Sequence, residues 1–242
     1  MHQKGKRKEF ISIVIPAYNE SARIGPTLAR IAEYCGAGFE RFEIIVVNDG
    51  SSDDTAAVVS DAGRKIPALR YEAYEQTRGK GYAIRFGVAM SRGDLVLISD
   101  ADLSTPVEEI EKLLVFHDAG YDIIIGSRAV EGSRIQVKQP FWRVFMGKVF
   151  NRIVRFLILE DFKDTQCGFK LFDGSSARAL FSSASVDRFA YDVEILYLAR
   201  EAGYRIKEVP IRWLNSPDSK VSPLKDSLQM LKDIIRVRMS RI

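Results

Sequence analysis

Cysteine, histidine and tryptophan are scarce in this chain, with two of each among 242 residues. Cys35 and Cys167 stand far apart and offer neither a disulfide framework nor a Cys/His spacing for zinc, so a reducing compartment is the simple expectation. No run reaches the ~18 consecutive apolar residues of a spanning helix. The basic start, Lys4, Lys6, Arg7 and Lys8, leads into a strand-like run and not into the apolar core of a signal peptide. A chain that is soluble or rests on a membrane surface is therefore expected. The full dinucleotide fingerprint is missing, and Gly79, Lys80 and Gly81 lack the Ser or Thr that follows the lysine of a phosphate loop, which disfavours NAD binding and P-loop hydrolysis. Lys plus Arg total 36 against 32 for Asp plus Glu, a small surplus that matters because it gathers at the two ends. No nucleic-acid-binding motif accompanies that charge, so nucleic acid is not an expected partner.

What is present is an alternation. Apolar runs of strand length, at Phe10 to Ile15, Phe42 to Val47, Leu69 to Tyr74, Leu95 to Ile98, Tyr121 to Ile125, Phe169 to Phe172 and Ile206 to Trp213, are separated by helical patterns. The helices are expected at Ala22 to Tyr34, Asp53 to Arg64, Tyr82 to Ser91, Pro106 to His117, Phe141 to Leu159, Ser175 to Ser182 and Asp192 to Ala202. This order predicts an α/β fold, a largely parallel twisted sheet covered by helices on both faces. The length suits one such domain over residues 10–222, with a basic, solvated tail at 1–9 and an amphipathic basic helix at 223–242.

The polar clusters sit where such a sheet presents its ligands, just past the carboxyl ends of strands. Leu95 to Ile98 runs into Asp100, Ala101 and Asp102; Phe10 to Ile15 runs into Pro16, Ala17, Tyr18, Asn19 and Glu20; Phe42 to Val47 runs into Asn48, Asp49, Gly50 and Ser51. Asp is common in turns, so one such cluster is weak, but three converging on one edge are not. Asp100 and Asp102 could hold a divalent cation, Mg²⁺ or Mn²⁺, through hard oxygen ligands, and the cation would neutralise the phosphates of a nucleotide.

The segments Val14 to Glu20, Val46 to Thr55, Arg78 to Gly81 and Asp100 to Pro106, followed by Asp164 to Phe172, resemble the inverting nucleotide-sugar glycosyltransferases of family 2. The run Asp-Thr-Gln-Cys-Gly-Phe-Lys at 164–170 narrows the likeness to the polyprenyl-phosphate (dolichyl-phosphate) branch, and Asp-Ala-Asp-Leu-Ser-Thr-Pro at 100–106 to its glucosyl members. The resemblance spans about Ile11 to about Val221 and implies a single-domain GT-A fold. Pro16, Ala17, Tyr18, Glu20, Asn48, Asp49 and Ser51 would then hold the base and ribose of a UDP-sugar, with Lys80, Asp100, Ala101 and Asp102 at its ribose, metal and diphosphate. Glucose is the favoured sugar, ahead of an N-acetylhexosamine. Relatives of this kind often carry transmembrane helices, which this sequence lacks.

The same resemblance places Arg128, Arg143, Ser219 and Lys220 at the phosphate of a polyprenyl or dolichyl acceptor, a role suited to guanidinium forks. A phosphate monoester is already largely dianionic at neutral pH, its second pKa being about 6, so a base is dispensable for such an acceptor, and whether one is needed stays open. Asp164 and Gln166 would orient acceptor or sugar, and Asp192 would be the base only if the acceptor were a hydroxyl. Asp192 and Glu194 also fit a bland role, since acidic residues favour the first turn of a helix. The helix at Phe141 to Leu159, aromatic at its start and interleaved with Arg and Lys, reads as an interfacial helix or as a core or dimer-interface helix; Pro223 to Ile242 is a weaker interfacial candidate. Such an enzyme would work as a peripheral protein on the cytoplasmic face of a membrane bearing anionic lipid, with homo-oligomerisation left open. Two rivals stay open: a family 2 enzyme acting on a saccharide or protein hydroxyl, and a nucleotide-sugar-binding protein without turnover.

Overall fold

The structure is a computed structural model that describes residues 5–136, 152, 159–214 and 223–239. Nine strands are described: β1 (Ile11–Ala17), β2 (Phe42–Asp49), β3 (Leu69–Tyr74), β4 (Leu95–Ile98), β5 (Ile123–Ser127), β6 (Arg134–Ile135), β7 (Lys170–Asp173), β8 (Ile206–Pro210) and β9 (Arg212–Trp213). The described helices are α1 (Ile24–Gly38), α2 (Thr55–Gly63), α3 (Lys80–Met90), α4 (Ile110–Asp118, entered through a 3₁₀ turn at Val107–Glu109), α5 (Gly174–Ser182), α6 (Tyr191–Glu201) and α7 (Pro223–Met239). Seven strands form one sheet in the order β3-β2-β1-β4-β7-β5-β8, and β6 pairs with β9 in a separate ribbon. The α/β architecture expected from the alternation is the one observed.

Within the sheet, β7 alone runs antiparallel, inserted between β4 and β5. Its first residue, Lys170, lies opposite both Ile98 and Ile125, so the segment that precedes it is delivered to the carboxyl edge of the parallel strands. The central strands are buried on both faces. Along β1, Ile11, Ile13 and Ile15 pack beneath α1, while Val14 turns to the opposite core shared with Ile84 and Val88 of α3. The period-two alternation of side chains is thus hidden in a continuous apolar run, as a doubly covered sheet requires.

Three expectations change in detail. The run Ile206 to Trp213 is two strands: Ile211 N still donates to Ser127 O of β5 at 3.2 Å, and the chain then turns so that β9 pairs with β6. The segment read as a solvated tail is docked from Lys6 onward: Arg7 exchanges backbone hydrogen bonds with Gly38 and Glu40, both 2.9 Å, and its guanidinium meets Asp118 at 2.5 Å. Helix α7 divides its apolar residues between two faces. Met230, Ile234 and Val237 join the core, whereas Leu228, Ile235 and Met239 stay exposed. The helix expected at Phe141 to Leu159 lies outside the described residues apart from residue 152 and the buried Leu159.

Candidate active site

The ends of β1, β2, β4 and β5 meet at one edge, where Ala17 is level with Asn48 and Ser99 donates its N–H to Val14 O at 3.1 Å. The two loops after β1 and β2 are knitted to each other. Asn19, in the left-handed region at φ 53°, accepts from Ser52 N at 2.8 Å and donates its own N–H to Ser51 Oγ at 2.9 Å. Asn48 donates to Tyr71 Oη at 2.8 Å and accepts from Ser51 N at 3.0 Å, while Glu20 N donates to Thr55 Oγ1 at 2.8 Å. Pro16 and Ala17 end β1, and Tyr18 stands at the rim, 41% exposed. These bonds fix a shelf whose floor is backbone and whose rim is aromatic.

Asp49 is buried, and its carboxylate accepts from Thr77 Oγ1 at 2.8 Å, Arg78 N at 2.7 Å and Gly79 N at 3.0 Å. Its observed work is to bind the loop that begins α3. Gly79 is required there: its φ is +110°, and a Cβ would fall 2.5 Å from Asp187 O. The next residue, Lys80, reaches Asp100 Oδ1 at 2.5 Å.

Asp100, Ala101 and Asp102 form a tight turn. Thr27 Oγ1 of α1 donates to Ala101 O at 2.7 Å, Asp102 Oδ1 accepts from Ser104 N at 2.9 Å, and Leu103 between them takes φ +47°. A non-glycine residue held in that region is strained and persists only where its surroundings over-determine it. The other oxygen of Asp102 faces Arg23 Nη1 at 3.7 Å, and Arg23 is held in place by Glu20 at 2.7 Å. Behind the turn lies Gly168, where a Cβ would stand 2.5 Å from Asp100 Cγ, so any side chain there would displace the Asp100 carboxyl. The Asp164 to Lys170 segment is therefore built against the acidic turn.

The rest of that segment is fixed by charge. Asp164 Oδ2 accepts from Arg128 Nε at 2.7 Å and its Oδ1 from Nη2 at 2.8 Å, a bidentate fork. Glu208 on β8 holds the same turn through Asp164 N at 2.7 Å and Lys163 N at 2.9 Å. Lys170, 1% exposed at its side chain, pairs with Asp192 in the first turn of α6 and also donates to Cys167 O. Gln166 Nε2 lies 3.8 Å from Met230 Sδ of α7. Glu194 accepts from Ser185 N, Ser185 Oγ and Val186 N at 2.9, 2.7 and 2.8 Å, so its role is to brace the loop before α6.

The electrostatics follow from this packing. Burial raises the Asp100 and Asp164 carboxyls, but the nearby cations outweigh it and both lie below the usual carboxylate range, Asp100 through Lys80 and Asp164 through Arg128. Burial works against the Lys80 ammonium, yet Asp100, Asp192 and Asp102 raise its pKa. For Asp192 burial prevails, and the carboxyl is raised in spite of Lys170. Burial also pushes the Cys167 thiol up to about 11, which makes it inert packing. Among the described residues no group of three His, Cys, Asp or Glu side chains is gathered as a ready-made metal cage. Two acidic oxygen donors on one turn nonetheless suit Mg²⁺ or Mn²⁺, which bind through one or two carboxylates and complete their shell with water and phosphate.

Of the residues expected at the site, Pro16, Ala17, Tyr18, Glu20, Asn48, Asp49, Ser51, Lys80, Asp100, Ala101, Asp102, Arg128, Asp164, Gln166 and Asp192 are described, and the bonds above gather them at or beside this edge. Arg143, Ser219 and Lys220 lie outside the described residues. Arg23, Gly168, Lys170 and Glu208 were given no role by sequence reasoning. Lys170 was detectable in principle, as a lone cation inside an apolar strand run, since Lys is rarely buried unless paired.

A mostly parallel sheet whose carboxyl edge carries an acidic turn, covered by helices on both faces, is a fold of the GT-A type. The chain resembles, at TM-score 0.72 and 20% identity over 99% of its length and 84% of the other chain, glucosyl-3-phosphoglycerate synthase from Mycobacterium tuberculosis crystallised with Mn²⁺, UDP and phosphoglyceric acid. It also resembles mannosyl-3-phosphoglycerate synthase from Rubrobacter xylanophilus, at TM-score 0.70 and 21% identity over 96% of this chain and 74% of that one. At such identities the likeness is one of fold. The family model for glycosyl transferase family 2 matches residues 12–181, and the chain belongs to that family. It is 37% identical over 243 residues to the dolichyl-phosphate beta-glucosyltransferase of Dictyostelium discoideum, covering 95% of this chain and 74% of that protein. The human protein of the same description is 35% identical over 246 residues, covering 95% and 75%.

Proposed function

We propose that this protein transfers glucose from UDP-glucose to a dolichyl or related polyprenyl phosphate with inversion at C1, using Mg²⁺ or Mn²⁺. The observation that carries this reading is the identity, 37% over 95% of the chain, with a relative described as a dolichyl-phosphate beta-glucosyltransferase. The geometry supports it. The knitted loops at Asn19, Asn48 and Ser51 offer a preformed shelf for base and ribose. Asp100 and Asp102 would hold the cation, whose chemistry is to neutralise charge on the departing UDP.

The attacking group is a phosphate oxygen. It forms the new bond to C1 as the bond from C1 to the diphosphate oxygen breaks, and the electron pair leaves with UDP; no proton needs to move. Arg128 is preorganised for the acceptor phosphate by its fork on Asp164, and its guanidinium lies 5.4 Å from the Trp213 ring centroid. Asp192, in its buried pair with Lys170, is a structural counter-ion in this scheme and not a base. Assigning the acceptor phosphate also to Arg143, Ser219 and Lys220 extends the same reading to residues outside those described.

No described helix is long and apolar enough to cross a membrane. We assign the approach to the lipid to the cytoplasmic surface of a membrane, with α7 turning Leu228 (63% exposed), Ile235 and Met239 (70% exposed) outward beside Arg236. The test is an assay of the purified chain with UDP-glucose, UDP-N-acetylglucosamine and a short polyprenyl phosphate, following UDP release and glycolipid. Glucolipid formation with UDP-glucose is expected. UDP release that requires a saccharide or protein hydroxyl, with none on the lipid phosphate, would refute the acceptor.

A further inference from the structure

Each member of the acidic pair faces a cation of the chain itself. Lys80 Nζ is 2.5 Å from Asp100 Oδ1, and Arg23 Nη1 is 3.7 Å from Asp102 Oδ2. Neither cation arrives by accident. Lys80 is aimed by the Gly79 turn that Asp49 grips through two backbone N–H groups, and Arg23 is braced by Glu20 at 2.7 Å. Gly168 closes the space behind Asp100, and Lys170 stands close enough to add to the positive field on that carboxylate. Asp100 thus carries its own counter-ion, while Arg23 divides its charge between Glu20 and the more distant Asp102.

We propose that Lys80, with a smaller share from Arg23, is a built-in counter-ion that rejects a free divalent cation and admits it only together with a nucleoside diphosphate. The charge argument is direct. A bare cation brought to Asp100 and Asp102 meets two positive side chains at contact range and gains little. A cation complexed to a diphosphate carries net negative charge, so Lys80 and Arg23 gain phosphate partners as they release the carboxylates. Both side chains are partly exposed, 26% for Lys80 and 22% for Arg23, and long enough to make that exchange. Lys80 is thus a positioning residue that selects the form of the donor, and the inference rests on the donor reading given above.

The experiment is a Mn²⁺ titration of the full chain followed by electron paramagnetic resonance, without nucleotide and with UDP, on the wild type, Lys80→Met and Lys80→Arg. A like charge within ~4–6 Å typically shifts an ionic equilibrium by a factor of ~10 to 1,000. Lys80→Met should therefore bind Mn²⁺ alone at least ~10-fold more tightly than the wild type, and UDP should strengthen Mn²⁺ binding less in the variant than in the wild type. Lys80→Arg should keep the wild-type rejection of free Mn²⁺. Damage to the fold cannot raise an affinity, so the sign of the effect separates the proposal from a structural role, and Lys80→Gln provides a second neutral variant. Equal or weaker binding of Mn²⁺ alone by both neutral variants overturns it, as does a wild type that binds Mn²⁺ equally with and without UDP. Because the readout is binding and not transfer, a chain that shows these shifts but makes no glucolipid would refute the acceptor reading and leave this inference standing.

Discussion

Replacing Gly168 with alanine adds one methyl group where the structure has no room for it. A Cβ there would lie 2.5 Å from Asp100 Cγ and 2.6 Å from Asp100 Oδ1, against an ordinary contact of 3.4 Å or more. Asp100 Oδ2 would lie nearer still, so restoring that contact means moving the carboxyl by more than about 1 Å, and a misplacement of about 1 Å in a catalytic constellation costs on the order of 100-fold. Asp100 is a partly exposed side chain that can rotate away, so the strain should stay below the ~1–3 kcal/mol typical of overpacking a core. Gly168→Ala is therefore expected to remain folded, with a melting temperature within a few degrees of wild type, while its kcat for glucosyl transfer falls ~30- to 100-fold. Steady-state kinetics with UDP-glucose beside a thermal melt would test this. Activity within a factor of ~3 of wild type would refute the argument that Gly168 sets the position of Asp100.

Four further outcomes are expected. Asp102→Asn should lower kcat by ~100-fold or more with little change in thermal stability, since charge stabilisation of this kind contributes several kcal/mol; near-normal turnover in the presence of a chelator would contradict it. Lys170→Met and Asp192→Leu should each lose ~3–5 kcal/mol of stability in urea by stranding a buried charge, while the double variant recovers most of it; additive losses would show that the pair is not what holds the site. The Asp164 carboxyl lies low in the folded state through Arg128, so it adds stability above its unfolded pKa of about 3.9 and loses it as pH falls through the folded value. Asp164→Asn should accordingly be less stable at neutral pH but flatter on the acid side of the profile, and parallel acid limbs would refute the linkage. Leu228→Glu with Ile235→Glu should reduce binding to vesicles containing anionic lipid in flotation at low salt, with UDP affinity unchanged; undiminished flotation would remove α7 from the membrane contact.

Much of this molecule was legible in its sequence because buried parallel strands announce themselves. The runs ending at Val47 and Ile98 were placed to within a few residues, and each delivers polar residues to the edge where open sheets bind ligands. Local signals could not reveal that β7 enters antiparallel between β4 and β5, since register and direction are set by long-range pairing. Pairings such as Lys80 with Asp100 or Arg128 with Asp164, separated by 20 and 36 residues, depend on that same topology. Arg128 was read as an acceptor cation, and in the fold it is first the partner of Asp164. The docking of Arg7 on Asp118, 111 residues away, escaped for the same reason: a basic terminus looks solvated until its partner is brought to it.

The acidic residues at this edge divide by what they bind, and the division says which are spent on the fold. Asp49, Glu194 and Glu208 accept from backbone N–H groups of loops 78–79, 185–186 and 163–164, bonds that satisfy donors otherwise left unpaired. Exchange of any of these for an amide would put an NH₂ where an acceptor is needed, and the loss would fall on loop geometry before chemistry. Asp100 and Asp102 instead face long, partly exposed cations that can leave, and among the described residues a single backbone N–H, that of Ser104, reaches a carboxylate of the pair. A carboxylate held by a rigid backbone donor cannot change partner during a reaction; one held by Lys80 or Arg23 can. The acidic turn is thus where charge can be exchanged at this edge, and its strained Leu103 marks the place where the chain gives up local comfort to bring both carboxylates together.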